Sequence, residues 1–284
     1  MTITRILLCA SLLLVGWTFT QTAKAQNLGT GVAPDGTQDC VMCDLRYHTY
    51  VGAKLDNSVF RGAYLFNANF ARASLQDSDF ESAVLVLAKF ERADLSGANL
   101  TKASLSRAAM FGATLRNARL TFADLHEAYL EAAELTLADL TATNLRGVRM
   151  PRAFADRALF RSADMRGAEL TGANFRRANL EGANLSGADL SGADLTMTNL
   201  SGANLRGANL EDANISYSNL LNADLSKANL RNARIYGANL KEAIFTGANM
   251  TDANMASNIE DRADFCGATM PDGKPGKCPK NTKK

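Results

Sequence analysis

From Leu45 to Met270 every fifth residue of this chain occupies one unbroken register, with no insertion anywhere in between. Of these 46 positions, 43 are Leu, Ile, Met or Phe, and the exceptions are Tyr50, Ala155 and Glu260. Two residues before each of them the residue is Ala in 37 of 46 units, so the unit reads Ala-[Asp/Asn]-Leu-x-x, often closing with Gly. A fixed short repeat of this kind decides the architecture before local propensity does. An α-helix does not suit it, because five residues advance about 500° and successive leucines would clothe every side of the helix. A flat strand does not suit it either, since an odd period sends successive leucines to opposite faces. The remaining geometry is a chain that turns by a similar angle every five residues and returns each Leu to a common interior. The Ala must be small because it shares that narrow interior. Asp, Asn, Ser and Gly at the other places form turns, the first three through side-chain to backbone hydrogen bonds and Gly through its tolerance of positive φ. The chain is therefore expected to be an all-β coiled solenoid.

The N-terminus points to export. Arg5 precedes an apolar run from Ile6 to Val15, followed by small residues ending Ala23-Lys24-Ala25. That is the order of a secretory signal peptide, residues 1–25, with a mature chain starting at Gln26 and no later stretch long and apolar enough to span a bilayer. The expected location is periplasmic. Removing Arg5 and Lys24 leaves 29 basic against 29 acidic side chains. A balanced surface offers neither the positive field that nucleic acid rewards nor the negative field of a DNA imitator.

Runs such as Ala183-Asn184-Leu185-Ser186-Gly187-Ala188-Asp189-Leu190-Ser191-Gly192 resemble the pentapeptide-repeat family. The resemblance implies a right-handed quadrilateral β-helix with four units per coil. The 46 units then make about eleven coils, and at roughly 4.8 Å per layer the rod is about 55 Å long. Cys9 leaves with the signal, and four cysteines remain, two at each end. A long rod holds the ends beyond disulfide reach, so the expected pairs are Cys40–Cys43 and Cys266–Cys278. Residues 26–44 and 271–284 are read as stapled caps on the repeat domain 45–270, and similar Cys-bearing and Met-Pro-Asp-Gly tails are a feature of secreted relatives. A thiol redox role for Cys40-Val41-Met42-Cys43 is an alternative, but no thioredoxin-like pattern surrounds it.

The register leaves no inserted loop for an active site, and His48 and His126 lie far apart in sequence. No enzyme activity, cofactor or metal is expected. Departures from consensus are more informative. If residues 20 apart stack, Tyr64 meets Val84, Phe66 meets Val86 and Tyr47 meets Leu87, giving the first coils one apolar face. The N-terminal segment, a second copy of the chain or a foreign protein are the possible occupants. A second departure is the stretch with Arg146, Arg149, Arg152, Arg157, Arg161, Arg166, Arg176 and Arg177, opposed within it only by Asp156, Asp164 and Glu169. It forms an expected basic belt, a candidate for a cell-envelope polyanion, around a coil that Pro151 and Ala155 are expected to bend or loosen. The leading functional expectation is an extracytoplasmic structural or interaction rod. The family's best-known activity, protection of topoisomerases by DNA mimicry, is the alternative, and it conflicts with the balanced charge and the export signal. Mass spectrometry of the exported chain is expected to give an N-terminus at Gln26; a retained residue 1 would remove the basis for export.

Overall fold

The structure, a computed structural model, describes residues 40–278. The signal peptide expected at 1–25, residues 26–39 of the expected N-terminal cap and the end of the tail lie outside the described residues. The unit Leu185–Asp189 shows how the sequence makes the coil. Leu185 O accepts the Ala188 N–H at 3.0 Å, closing a four-residue turn with Ser186 and Gly187 at its centre. Gly187 has φ +67°, and the same second turn position is left-handed in every unit from Met42 to Gly267. That sign at the third residue of a turn is what a type II turn needs. Fifteen of these 46 positions are Gly and 31 are not. None of the 31 is Val, Ile, Thr or Pro, the side chains for which a positive φ is least accessible.

Between turns the chain is extended for three residues and pairs in parallel with the residues 20 positions away. The pairing runs without interruption from Asp44 and Tyr64 to Asn249 and Thr269. Four units therefore make one coil, and the chain is a right-handed quadrilateral β-helix. Every N–H of the unit finds a partner. Leu185 and Gly187 donate to Asn204 O (2.7 Å) and Arg206 O (2.9 Å) in the next coil, and Asp189 donates to Ala168 O (2.9 Å) in the preceding one. The Ala188 N–H closes the turn. The fifth, Ser186 N–H, has no backbone acceptor and goes to the Asn184 side-chain Oδ1 at 3.2 Å. The Asp or Asn before Leu is thus a hydrogen-bond acceptor for the turn that follows it. Some of these side chains also bridge coils, as in the run Asn179, Asn199, Asn219 and Asn239, where each amide donates to the Oδ1 of the one before at 2.9 to 3.4 Å.

The interior is a square column of leucines with alanines beside them, almost all fully buried. Its first coils are aromatic. Tyr50, Phe70 and Phe90 stack at 4.9 and 5.1 Å on one side, Phe60 and Phe80 at 4.9 Å on the opposite side, and the two columns meet edge to face near 5.9 Å. Ser78, Thr143, Thr198 and Ser218 replace Ala in the interior, and each hydroxyl donates to a backbone carbonyl at 2.6 to 2.8 Å. The groups are buried but satisfied.

Pairing is unbroken through the coil containing Pro151 and Ala155 and its interior residues stay fully buried, contrary to the expected loosening. Pro151 takes the first turn position, the one N–H that no backbone carbonyl accepts, and the residue two before it is Arg149, which has no acceptor to offer. Proline removes the donor at the only place where its loss costs nothing, and it favours the φ of that turn position. Pairing continues through it, with Ala132 N–H on Pro151 O at 3.0 Å. Ala155 is fully buried, and the neighbouring Phe160 and Phe175 meet edge to face at 5.5 Å near the space a leucine would have filled.

Cys40 lies at disulfide distance from Cys43, and Cys266 from Cys278. The coil begins one unit before the boundary read from the sequence. Cys40 N–H bonds to Val59 O and Met42 N–H to Arg61 O, Cys40 packs against the core, and Cys43 is buried where other units have Ala. At the other end Met270-Pro271-Asp272-Gly273 reverses the chain, and Thr269 pairs antiparallel with Pro275. Gly276 passes so close to Phe265 that a Cβ there would lie 2.2 Å from the Phe265 carbonyl oxygen. This return brings Cys278 to Cys266.

Two outcomes follow from the turn and its acceptor. No atom lies within 4 Å of a Cβ built on Gly187, so a substitution there tests φ alone. Gly187→Val is expected to lower stability by about 2 kcal/mol and Gly187→Asn by much less, measured by denaturant unfolding. Equal losses would show that the left-handed turn does not limit the sequence. The Asp189 carboxyl is raised by partial burial but lowered more by the Ser191 N–H and hydroxyl, the Asn209 amide and the Thr171 hydroxyl, and rests below its ordinary 3.8. Its contribution is complete above the unfolded value and disappears as pH falls through the folded one. Asp189→Asn is therefore expected to flatten the loss of stability below about pH 4; an unchanged acid limb would remove Asp189 from the account.

Candidate interaction surfaces

In each unit three side chains point outward, the two at the turn and the one before Leu. Anything the rod recognises must be written in these positions. Tyr47 does not meet Leu87, contrary to expectation: the two are 40 residues apart, so Asn67 stands between them in the intervening coil. Tyr64 pairs with Val84 across adjacent coils on one side. At the corner that follows, the Tyr47 and Phe66 rings meet edge to face at 5.5 Å, and Val86 and Leu87 occupy the next coil. Tyr47 is 62% and Tyr64 46% exposed, whereas Phe66, Val84, Val86 and Leu87 are half-buried. The sequence reading left out Met42, which belongs to the same region. It is exposed at the corner leading into this face, and its thioether lies over Gly62. Its distance of 20 from Gly62 was the available signal.

The basic belt does not form as a belt of free cations. Arg149 pairs with Glu169 at 2.6 Å, Arg161 with Glu181 at 3.6 Å, Arg166 with Asp164 at 2.6 Å and Arg176 with Asp194 at 3.3 Å. Arg157 pairs with Asp156 at 3.5 Å, and Arg152 pairs with Glu131. Three of the six acidic partners, Glu131, Glu181 and Asp194, lie outside the stretch over which charge was counted. They are about one coil away along the chain, so most of the local excess of positive charge read along the sequence is neutralised in space. Arg146 and Arg177 alone among the eight carry no ion pair among the described residues. These are exposed pairs, worth roughly 0 to 1 kcal/mol each, and they neutralise the surface more than they stabilise it. Arg149 also lies 5.7 Å over the Tyr129 ring.

The chemistry-bearing residues do not assemble further. His126 Nδ1 bonds the Asp124 carboxylate at 2.9 Å, but Ser106, one coil earlier at the same corner, is buried and makes no hydrogen bond to the imidazole. Among the described residues no group of three or more His, Cys, Asp or Glu side chains is placed to hold a metal, and no helix is long and apolar enough to cross a membrane.

The family model described as "Pentapeptide repeats (8 copies)" matches in overlapping stretches from residue 51 to residue 272. Among solved structures, the chain is similar to HetL, a protein involved in heterocyst differentiation regulation from the cyanobacterium Nostoc sp. strain PCC 7120. Identity is 32% over 84% of this chain and 91% of that one, with a TM-score of 0.39. It is also similar to Rfr23 from the cyanobacterium Cyanothece 51142, at 28% identity over 44% of this chain and 85% of that one, TM-score 0.33. QnrB1, a plasmid-mediated fluoroquinolone resistance protein, is 18% identical over 64% of this chain and 82% of that one, TM-score 0.33. No curated protein sequence matches the chain.

Proposed function

Because the chain belongs to the pentapeptide-repeat family, whose members are generally structural or interaction modules, we propose that it works outside the cytoplasm as a rigid rod that docks a protein partner. The docking surface in this reading is the apolar face of the first coils. The observation that carries it is the clustering of Met42, Tyr47, Tyr64, Phe66, Val84, Val86 and Leu87 on one side and its corners, at positions where most units have polar residues or Gly. Contiguous exposed apolar surface on a soluble protein commonly marks a contact. Behind it the stacked Phe core and the continuous backbone ladder hold these side chains in place, so the surface is preorganised and little ordering is required on binding. The leader-like N-terminus and the two cysteine pairs at disulfide distance support the extracytoplasmic part of the reading.

An envelope polyanion on the arginine belt is less favoured, since six of the eight arginines already hold carboxylates. Imitation of duplex DNA toward a topoisomerase, the activity for which the family is best known, requires a predominantly acidic surface. Here basic and acidic side chains alternate from coil to coil, which counts against it. A redox role at Cys40 and Cys43 has little support beyond the proximity of the two sulfurs.

The test compares cross-linked species, by mass spectrometry, from cells making the natural chain and a variant with Tyr64, Phe66, Val84 and Val86 changed to Ser. A specific cross-linked protein is expected with the natural chain and not with the folded variant. Identical cross-links from both would mean that this face is not the working surface.

A further inference from the structure

A second run of exposed apolar side chains follows one corner of the rod far from the first. The turns at 136–137, 156–157, 176–177, 196–197, 216–217 and 236–237 stack one above another, each 20 residues after the last. Along this edge the outermost residues are Leu137, Arg157, Arg177, Met197, Tyr217 and Tyr236. Phe154 and Leu159 stand on the two sides that meet at the corner. Leu137 and Met197 are each 49% exposed and Tyr217 is 55% exposed. Each of these three also holds a left-handed backbone, φ 61° for Leu137, Met197 and Tyr217 alike. Such a conformation costs an L-residue roughly 1 to 2 kcal/mol, and 15 units use Gly at the same position. Bulky apolar side chains there bear both the strain and the exposure, and nothing in the interior gains from them. Exposed apolar side chains stacked along one edge with no core to fill mark a contact surface. The ring geometry is also specific. Tyr217 and Tyr236 meet edge to face at 5.4 Å, and Tyr217 lies against Gly237, where a Cβ would come within 2.9 Å of the ring.

We propose that this edge is a second docking surface, and that its occupant is a segment of another protein with apolar ends and an acidic centre. The order along the edge selects that class. Arg157 and Arg177 sit in the middle, between Leu137 at one end and Met197, Tyr217 and Tyr236 at the other, and Phe154 and Leu159 flank Arg157 in its own coil. Arg177 has no ion pair among the described residues, and Arg157 has only the neighbouring Asp156, at 3.5 Å. A carboxylate at the centre of the occupant would complement these two cations. A second copy laid antiparallel would set arginine against arginine, because the order apolar, basic, apolar reads nearly the same in both directions. A nucleic acid would bring a phosphate at every step and place several of them on Leu137, Phe154 and Met197. From turn 136–137 to turn 236–237 is five coil steps, about 24 Å at roughly 4.8 Å each. That length is covered by about 16 residues of helix or about seven of extended chain. The first apolar face follows the corner half a coil away, diagonally across the square, and ends several coils before this one becomes apolar. One rod can therefore hold two partners at once.

The probe is a displayed library of random peptides of about 16 residues, selected on the full exported chain. Enriched peptides are expected to carry an acidic residue between apolar clusters. Arg177→Glu and Tyr217→Ser are each expected to weaken them by about tenfold or more, while Arg177→Lys retains most binding and Tyr64→Ser leaves it unchanged. All three positions are exposed, and thermal melting of each variant separates lost binding from lost folding. The proposal is overturned if no peptide is enriched over an Arg177→Glu, Tyr217→Ser double variant, or if the selected peptides lack a central acid. It is equally overturned if sedimentation shows a dimer that Tyr217→Ser dissolves, since the occupant is then a second copy.

Discussion

Each unit has five backbone N–H groups and, between one coil and the next, a fixed set of acceptors for them. Three go to neighbouring coils, one closes the turn, and one is left over. An unpaired donor in a half-buried turn is costly, and in 25 of the 46 units the chain supplies an acceptor from an Asp or Asn just before the interior residue. The consensus is therefore a statement about hydrogen bonds as much as about burial. It also explains the tolerated exceptions. Pro151 and Pro271 both take the one turn position whose N–H lacks a backbone partner, and both follow units where that side-chain acceptor is not Asp or Asn, Arg149 and Thr269 respectively.

With the ladder fixed, the interior can vary only by exchange within a layer. The aromatic columns of the first coils, the Ala155 exchange with Phe160 and Phe175, and the hydroxyls that bond to carbonyls beside the core are all solutions of that kind. Close packing makes volume a property of neighbouring coils and not of single residues. Tyr50 is the exception that stays incomplete. Its hydroxyl is buried without a partner among the described residues, and burial raises its pKa well beyond the ordinary tyrosine range.

The same ladder turns the surface into a grid with a step of 20 residues along the chain. Ion pairs between residues about one coil apart, such as Arg161 with Glu181, reduce the charge cluster that a linear reading finds. Apolar side chains gather along corners in the same way. The outward side chains of the described residues therefore lie along edges and faces held at fixed spacing.

The period, the interior positions, the turn-forming positions and the stacking of Tyr64 on Val84 were legible in the sequence, because each depends on spacing alone. The exclusion of β-branched residues from the second turn position was equally legible, once one asks which residues tolerate a positive φ. The coil's beginning at Cys40, the unbroken pairing through Pro151 and the neutralisation of most of the arginines were not. Those depend on which atoms of one coil lie against the next, at offsets of 18, 20 or 21 residues that no linear count weighs. Sequence by itself determined that the chain must coil around a column of leucines, since no other geometry returns every fifth residue inward. Only the tertiary structure decided which outward side chains meet, because that is set by the stacking distance between coils and by the direction each turn gives its side chain.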